Sequence, residues 1–205
     1  DTVARQRLQN RMIPAVAGLP GCIVLAAGSS RRFGSDKRQF LLPSGTTLLD
    51  QTLATVRDVF DRRVLVLRTD DDELAARYRA DWQIVLAPDA ALGMGHSLAA
   101  ALPAVQDWPG AVIALADMAW VQAKSFRAVQ AALEPGALVV PFYCGERGNP
   151  VGIGRDYFGR LANPQGDSGA RQLFGEYSGS VIRLELDDPG ILRDMDVQPA
   201  QAVRP

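Results

Sequence analysis

Short apolar runs alternate with amphipathic stretches along most of this chain. Cys22-Ile23-Val24-Leu25 continues into Ala26, and the run predicts a buried strand over residues 23–26. Residues 64–67, 83–86, 112–115 and 138–142 read the same way. Between them, apolar residues at helical spacing predict helices over 48–59, 71–79, 97–105 and 123–133. Beyond Phe142 the rhythm loosens, leaving 151–153 and 181–186 as further strand candidates. Such alternation specifies an α/β sandwich with a largely parallel sheet. The chain has no internal repeat, low-complexity tract or linker-like boundary. Residues 21–205 therefore read as one domain behind an N-terminal extension of residues 1–20.

Composition narrows the partners more than the fold. The 205 residues are 47% hydrophobic, enough for a sizeable core. Lys and Arg number 22 against 23 Asp and Glu, a net charge of −1, so bulk electrostatics argue for neither a nucleic-acid nor a membrane partner. No apolar run approaches the roughly 20 residues needed to span a bilayer. Arg5, Arg7 and Arg11 precede only short apolar pieces, and no secretory signal is expected. Cys22 and Cys144 lie far apart without C-x-x-C spacing, which suits a reduced, cytoplasmic protein without structural zinc.

In open α/β sheets, ligands bind at the carboxyl ends of the strands, and the polar residues of interest fall there repeatedly. The first strand opens into Gly28-Ser29-Ser30-Arg31-Arg32-Phe33-Gly34-Ser35-Asp36-Lys37. This run is neither G-x-G-x-x-G nor a P-loop. It reads either as a different phosphate cradle, with bare backbone N–H groups and cations, or as an ordinary surface turn. Gly93-Met94-Gly95-His96-Ser97 follows the third strand, and Ser97 suits a helix N-cap or a ligand contact. Asp117 closes the fourth strand and suits an N-cap or a Mg²⁺ ligand.

The order L-A-A-G-x-S-x-R-F-G-x-x-K, running into Phe40-Leu41-Leu42-Pro43, resembles the molybdenum cofactor cytidylyltransferases. These are relatives of the guanylyltransferases and of the sugar-phosphate nucleotidyltransferases, and the resemblance covers the chain from about Gly21 onward. It implies a three-layer α/β/α, Rossmann-like nucleotidyltransferase fold. It also implies Mg²⁺-dependent transfer of CMP from CTP to the phosphate of molybdopterin or of the molybdenum cofactor, with release of pyrophosphate. On that resemblance Leu25, Ala26, Ala27, Gly28, Ser30, Arg32, Lys37 and Ser97 bind the nucleotide, and Arg32, Lys37 and Asp117 are catalytic.

Leu115-Ala116-Asp117-Met118-Ala119-Trp120-Val121 is similar to the family's L-G-D-M-P-W-V, whose Asp binds the metal. Here Ala116 and Ala119 stand where Gly and Pro are usual. Asp194-Met195-Asp196 is similar to D-[IM]-D-[TS]-P, which makes Asp196 the second metal candidate and Asp194 the fallback. Gly145-Glu146-Arg147-Gly148-Asn149-Pro150-Val151 and Gly166-Asp167-Ser168-Gly169-Ala170-Arg171 resemble the family's acceptor-side segments. They imply acceptor binding by Arg147, Asn149, Asp167 and Arg171. Ala27, where guanylyltransferases carry Gly, would narrow the base site toward a pyrimidine. His96 is expected to be structural or peripheral, because an ionised phosphate nucleophile needs no general base. Two other readings stay open. One is a nucleotidyltransferase for another acceptor, a sugar or polyol phosphate. The other is a non-catalytic cofactor carrier serving a molybdenum hydroxylase client.

Overall fold

The structure, a computed structural model, describes residues 18–29, 33–162, 164 and 171–194. The strands are β1 (Gly21–Leu25), β2 (Arg63–Leu67), β3 (Gln83–Leu86), β4 (Gly110–Leu115), β5 (Leu138–Tyr143), β6 (Glu146–Arg147), β7 (Val151–Gly154) and β8 (Val181–Glu185). The α-helices are α1 (Leu48–Arg57), α2 (Asp72–Tyr78), α3 (Met94–Ala101), α4 (Ala123–Ala132), α5 (Phe158–Leu161) and α6 (Arg171–Glu176).

One sheet holds all eight strands in the order β3-β2-β1-β4-β7-β5-β6, with β8 paired to β5. β3, β2, β1 and β4 are mutually parallel, β7 runs antiparallel between β4 and β5, and β8 is parallel to β5. The β5–β6 hairpin turns on Cys144 (φ 51°) and Gly145 (φ 81°), the paired positive-φ conformation of a type I′ turn.

Helices cover both faces, giving three layers. Alternate residues of β1 point to opposite sides. Cys22, Val24 and Ala26 join a core with α1, α2 and α4 residues including Leu53, Leu74 and Phe126. Ile23, Leu25 and Ala27 join a second core that includes Leu98 of α3, Leu161 of α5 and Phe174 of α6. The α/β/α sandwich with a mostly parallel sheet is as expected, and the helix boundaries differ where local chemistry overrides periodicity.

The predicted helix over 97–105 starts instead at Met94, after Gly93 turns the chain at φ 128°. It ends at Ala101 in a 3₁₀ turn, Leu102–Val105, because Pro103 cannot donate to the ladder and its ring crowds the preceding turn. Ser97 therefore lies inside the first turn of α3 rather than at an N-cap. α1 begins as its sequence suggests. The Thr47 hydroxyl accepts from the Asp50 N–H at 3.0 Å and faces the Asp50 carboxylate at 2.7 Å, while Leu48, Leu49, Leu53 and Val56 are buried.

Candidate active site

The chain runs from β1 outward to β2 and β3, then returns to the other side of β1 as β4. This places a topological switch point at the carboxyl ends of β1 and β4. The two ends are tied together by Ala116 N–H, which donates to Leu25 O at 3.1 Å, while on the other side Ala26 N–H donates to Val66 O of β2 at 2.9 Å. Leu25, Ala26 and Ala27 are buried, and Gly28 and Ser29 emerge into solvent. The chain re-enters the protein at Phe33. That ring is buried in a small cluster with Leu48 and Ala119, flanked by Phe40, Leu42 and Trp120, and meets Phe40 edge-on at 5.5 Å. An apolar clamp thus locks the loop after β1 to the loop after β4. Ala119, where Pro is usual, is one of its jaws.

Two of the expected catalytic residues meet across this junction. Lys37 Nζ donates to Asp117 Oδ2 at 2.5 Å, although the residues are 80 positions apart. Lys37 opens a 3₁₀ turn, Lys37–Gln39, capped by Asp36, whose Oδ1 accepts from the Arg38 N–H at 3.1 Å. Asp117 is 4% exposed. It caps no helix: α4 begins six residues on, and its first turn is served by Asp188, which accepts from Gln122 N–H at 2.9 Å and Ser125 Oγ at 2.6 Å. The N-cap reading of Asp117 is therefore replaced by a carboxylate committed to a cation. Its backbone is held by the Thr52 hydroxyl of α1, which donates to Ala116 O at 3.1 Å. Leu115 N–H also points at the Met118 sulfur at 3.1 Å.

Sequence reading missed the residue beside Lys37. Arg38 is 2% exposed, and its guanidinium reaches Asp36, Asp71 and the Ala26 carbonyl. Asp71, 7% exposed at the end of the β2 connection, also accepts from Arg68 N–H and Arg68 Nη2, each at 2.9 Å. Burial raises the Asp71 pKa, but hydrogen bonds and charge from Arg38 and Arg68 outweigh it and bring the carboxyl down to about 2. Asp36 is likewise lowered, against burial, by Arg38 and then Arg68. The same pairing raises Arg38 against its own desolvation. The network was illegible because Arg38 and Asp71 are 33 residues apart and neither belongs to a motif.

Of the acceptor-side candidates, the structure describes Arg147 and Asn149 fully, and both lie beyond β4. Arg147 lies on β6 with its guanidinium 4.6 Å from the Phe174 ring of α6, the helix that Arg171 opens. The hairpin and α6 are therefore neighbours. Asn149 is exposed on the same segment, and its N–H donates to Ile191 O at 2.9 Å. The C-terminal segment crosses here. Arg193 stacks over Trp120 at 4.0 Å, and a Cβ on Gly190 would meet Trp120 O at 2.1 Å, so only a glycine fits. The segment thus passes three residues from Asp117 before reaching Asp194. Ser97 is 4% exposed and His96 half-buried, both in the first turn of α3. Ser30, Arg32, Asp167 and Asp196 lie outside the described residues, as does the side chain of Arg171.

No group of three or more His, Cys, Asp or Glu residues suited to a metal occurs among the described residues. The buried Asp117 carboxylate is a hard oxygen donor of the kind that divalent cations such as Mg²⁺ take together with phosphate oxygens.

Residues 22–181 match the MobA-like NTP transferase domain. The chain is 28% identical over 177 residues to the molybdenum cofactor cytidylyltransferase of Escherichia coli K12, covering 85% of this chain and 90% of that protein. A solved homologue of Rv0371c from Mycobacterium sp. strain JC1 superposes with a TM-score of 0.75 at 35% identity, over 86% of this chain and 90% of that one. Rv0371c of Mycobacterium tuberculosis in complex with manganese gives 0.67 at 29% identity, over 82% and 89%. The fold, the carboxylate at the switch point and the extent of the match agree: this chain is a nucleotidyltransferase and belongs to the MobA-like NTP transferase family.

Proposed function

We propose that this protein transfers CMP from CTP to the terminal phosphate of molybdopterin or its molybdenum-loaded form, releasing pyrophosphate, with Mg²⁺ as the cation. The observation that carries this reading is the Lys37–Asp117 pair at the β1/β4 switch point. Asp117, with Asp196 as second ligand, would hold the cation. When bound, that cation neutralises charge on the triphosphate. Lys37, whose side chain is partly exposed, would leave its pairing with Asp117 for phosphate oxygens. The loop that begins at Gly28 offers exposed backbone against the same phosphates, and Arg32 adds a second cation there. The nucleophile is an already ionised phosphate, so no side chain has to abstract a proton. Catalysis is then positioning plus charge stabilisation.

Arg147, Asn149, Asp167 and Arg171 form the acceptor side in this reading, supported by the approach of the β5–β6 hairpin to α6. Ala27 is assigned to base selection. Its methyl is 3% exposed and belongs to the core that contains Ala87 and Leu98, so it would act by shaping the floor beneath the nucleotide. Residues 21–205 would work as one catalytic unit in the cytoplasm, supplying a molybdenum hydroxylase. The described residues contain no helix long and apolar enough to cross a membrane.

The test is pyrophosphate release with Mg²⁺ and CTP or GTP, with and without molybdopterin. Release that requires both CTP and molybdopterin is expected. Release triggered by sugar or polyol phosphates alone would replace the acceptor, and tight pterin binding without release would favour a carrier.

A further inference from the structure

Every nitrogen of the buried Arg38 guanidinium is engaged. Nε donates to both Asp36 oxygens at 2.8 and 3.1 Å. Nη1 donates to Ala26 O at 2.8 Å and Asp71 Oδ2 at 2.5 Å. Nη2 donates to Asp36 Oδ2 at 2.6 Å and Asp71 Oδ1 at 2.7 Å. These acceptors frame one segment of chain. Ala26 is where the loop begins after β1, Asp36 caps the turn that carries Lys37, and Asp71 belongs to the β2 connection alongside. We propose that Arg38 is a positioning residue that clasps both ends of the loop 27–37 and so fixes the turn from which Lys37 reaches Asp117.

A buried ion network is weak evidence for stability, since apolar replacements of equal volume are often as stable. The choice of partners is what points to positioning. A planar fork pairs with each of two carboxylates through two nitrogens while also holding a backbone carbonyl, which the single nitrogen of a lysine cannot do. Lys37 is the neighbouring residue in the same capped turn, so any drift of the clasp moves its Cα directly. A flexible side chain on a misplaced backbone reaches the phosphates less often, and an ångström of misplacement is enough to cost about 10²-fold in rate. The inference rests on nucleotidyl transfer but not on which base or acceptor is used.

The experiment is a double-mutant cycle on the full chain between Arg38→Met and Lys37→Met. It is read as kcat/KM for pyrophosphate release with the triphosphate the wild type prefers, and accompanied by amide hydrogen exchange. Arg38→Met should lower kcat/KM about 10²-fold when Lys37 is present, and less than about threefold in the Lys37→Met background. Arg38→Lys should recover little. Exchange should quicken at residues 27–29 and 33–39 while β4 and α4 keep their protection. Equal losses in both backgrounds, uniformly raised exchange, or undiminished turnover would overturn the clasp. Should Arg38→Met not fold, Asp71→Asn loosens the far side of the clasp with less disruption, and the same criteria apply. A wild type that releases no pyrophosphate from any triphosphate would refute the transfer reading alone, because the exchange pattern still decides the clasp.

Discussion

Replacing Asp117 with Asn keeps the size of the side chain and removes its charge, which separates two roles the carboxylate could play. As part of the fold, its contribution is its pairing with Lys37. The Asp117 side chain is 5% exposed but that of Lys37 is 23% exposed, so the ammonium left behind can turn to water instead of being stranded. The loss should therefore resemble that of a partly exposed ion pair, about 1 kcal/mol, and not the 3–5 kcal/mol of a broken buried pair. For a chain of this size, that is a fall in Tm of about 2–4 °C, which leaves a protein with 5–15 kcal/mol of stability fully folded. As part of the reaction, losing a preorganised charge should cost about 10²–10³ in kcat, or 2.7–4 kcal/mol of transition-state stabilisation. Thermal unfolding by circular dichroism, alongside pyrophosphate release at saturating triphosphate, measures both. A small Tm change with a large rate loss supports the site. Turnover within threefold of wild type, or a Tm fall several times larger that accounts for the lost activity, would refute it.

Other outcomes follow from the same contacts. Asp188 is fully buried and accepts from Gln122, Ser125 and Gly190; Asp188→Ala strands those donors and should cost about 3 kcal/mol or more in urea unfolding. Asp71 has a folded pKa of about 2, below its ordinary 3.8. Its stabilisation is therefore complete above about pH 4 and is lost as pH falls toward 2. Asp71→Asn should flatten that part of the stability–pH curve, and an unchanged curve would remove Asp71 as its source. Ala27→Gly should move the CTP-to-GTP ratio of kcat/KM toward GTP; a constant ratio would take Ala27 out of base selection.

Much of this protein was legible along the chain, and the limits of that legibility have physical causes. Period and run length identified every described strand but β6 and the four longer α-helices, because buried faces must be apolar; β6, α5 and α6, of two to six residues, are too short to carry a period. Local order also marked Lys37 and Asp117, since a cation and a carboxylate at strand ends have few roles. Strand order was not written in the periodicity. β7 inserts antiparallel between β4 and β5, and nothing in Val151–Gly154 announces its partners, because a two-face-buried strand looks alike in any position. The start of α3 was displaced by three residues because Gly93 turns the chain earlier than the apolar pattern requires.

The same division runs through the site. The sequence by itself determined that cations, glycines and a carboxylate would collect at strand ends. Only the tertiary structure decided that Lys37 meets Asp117 across 80 residues, that Phe33 clamps the two loops over Leu48 and Ala119, and that Arg38 joins Ala26, Asp36 and Asp71. Those contacts depend on which strands lie side by side. Pairing is a property of the closed sheet, where distant segments share hydrogen bonds and buried charge, and not of any segment read alone.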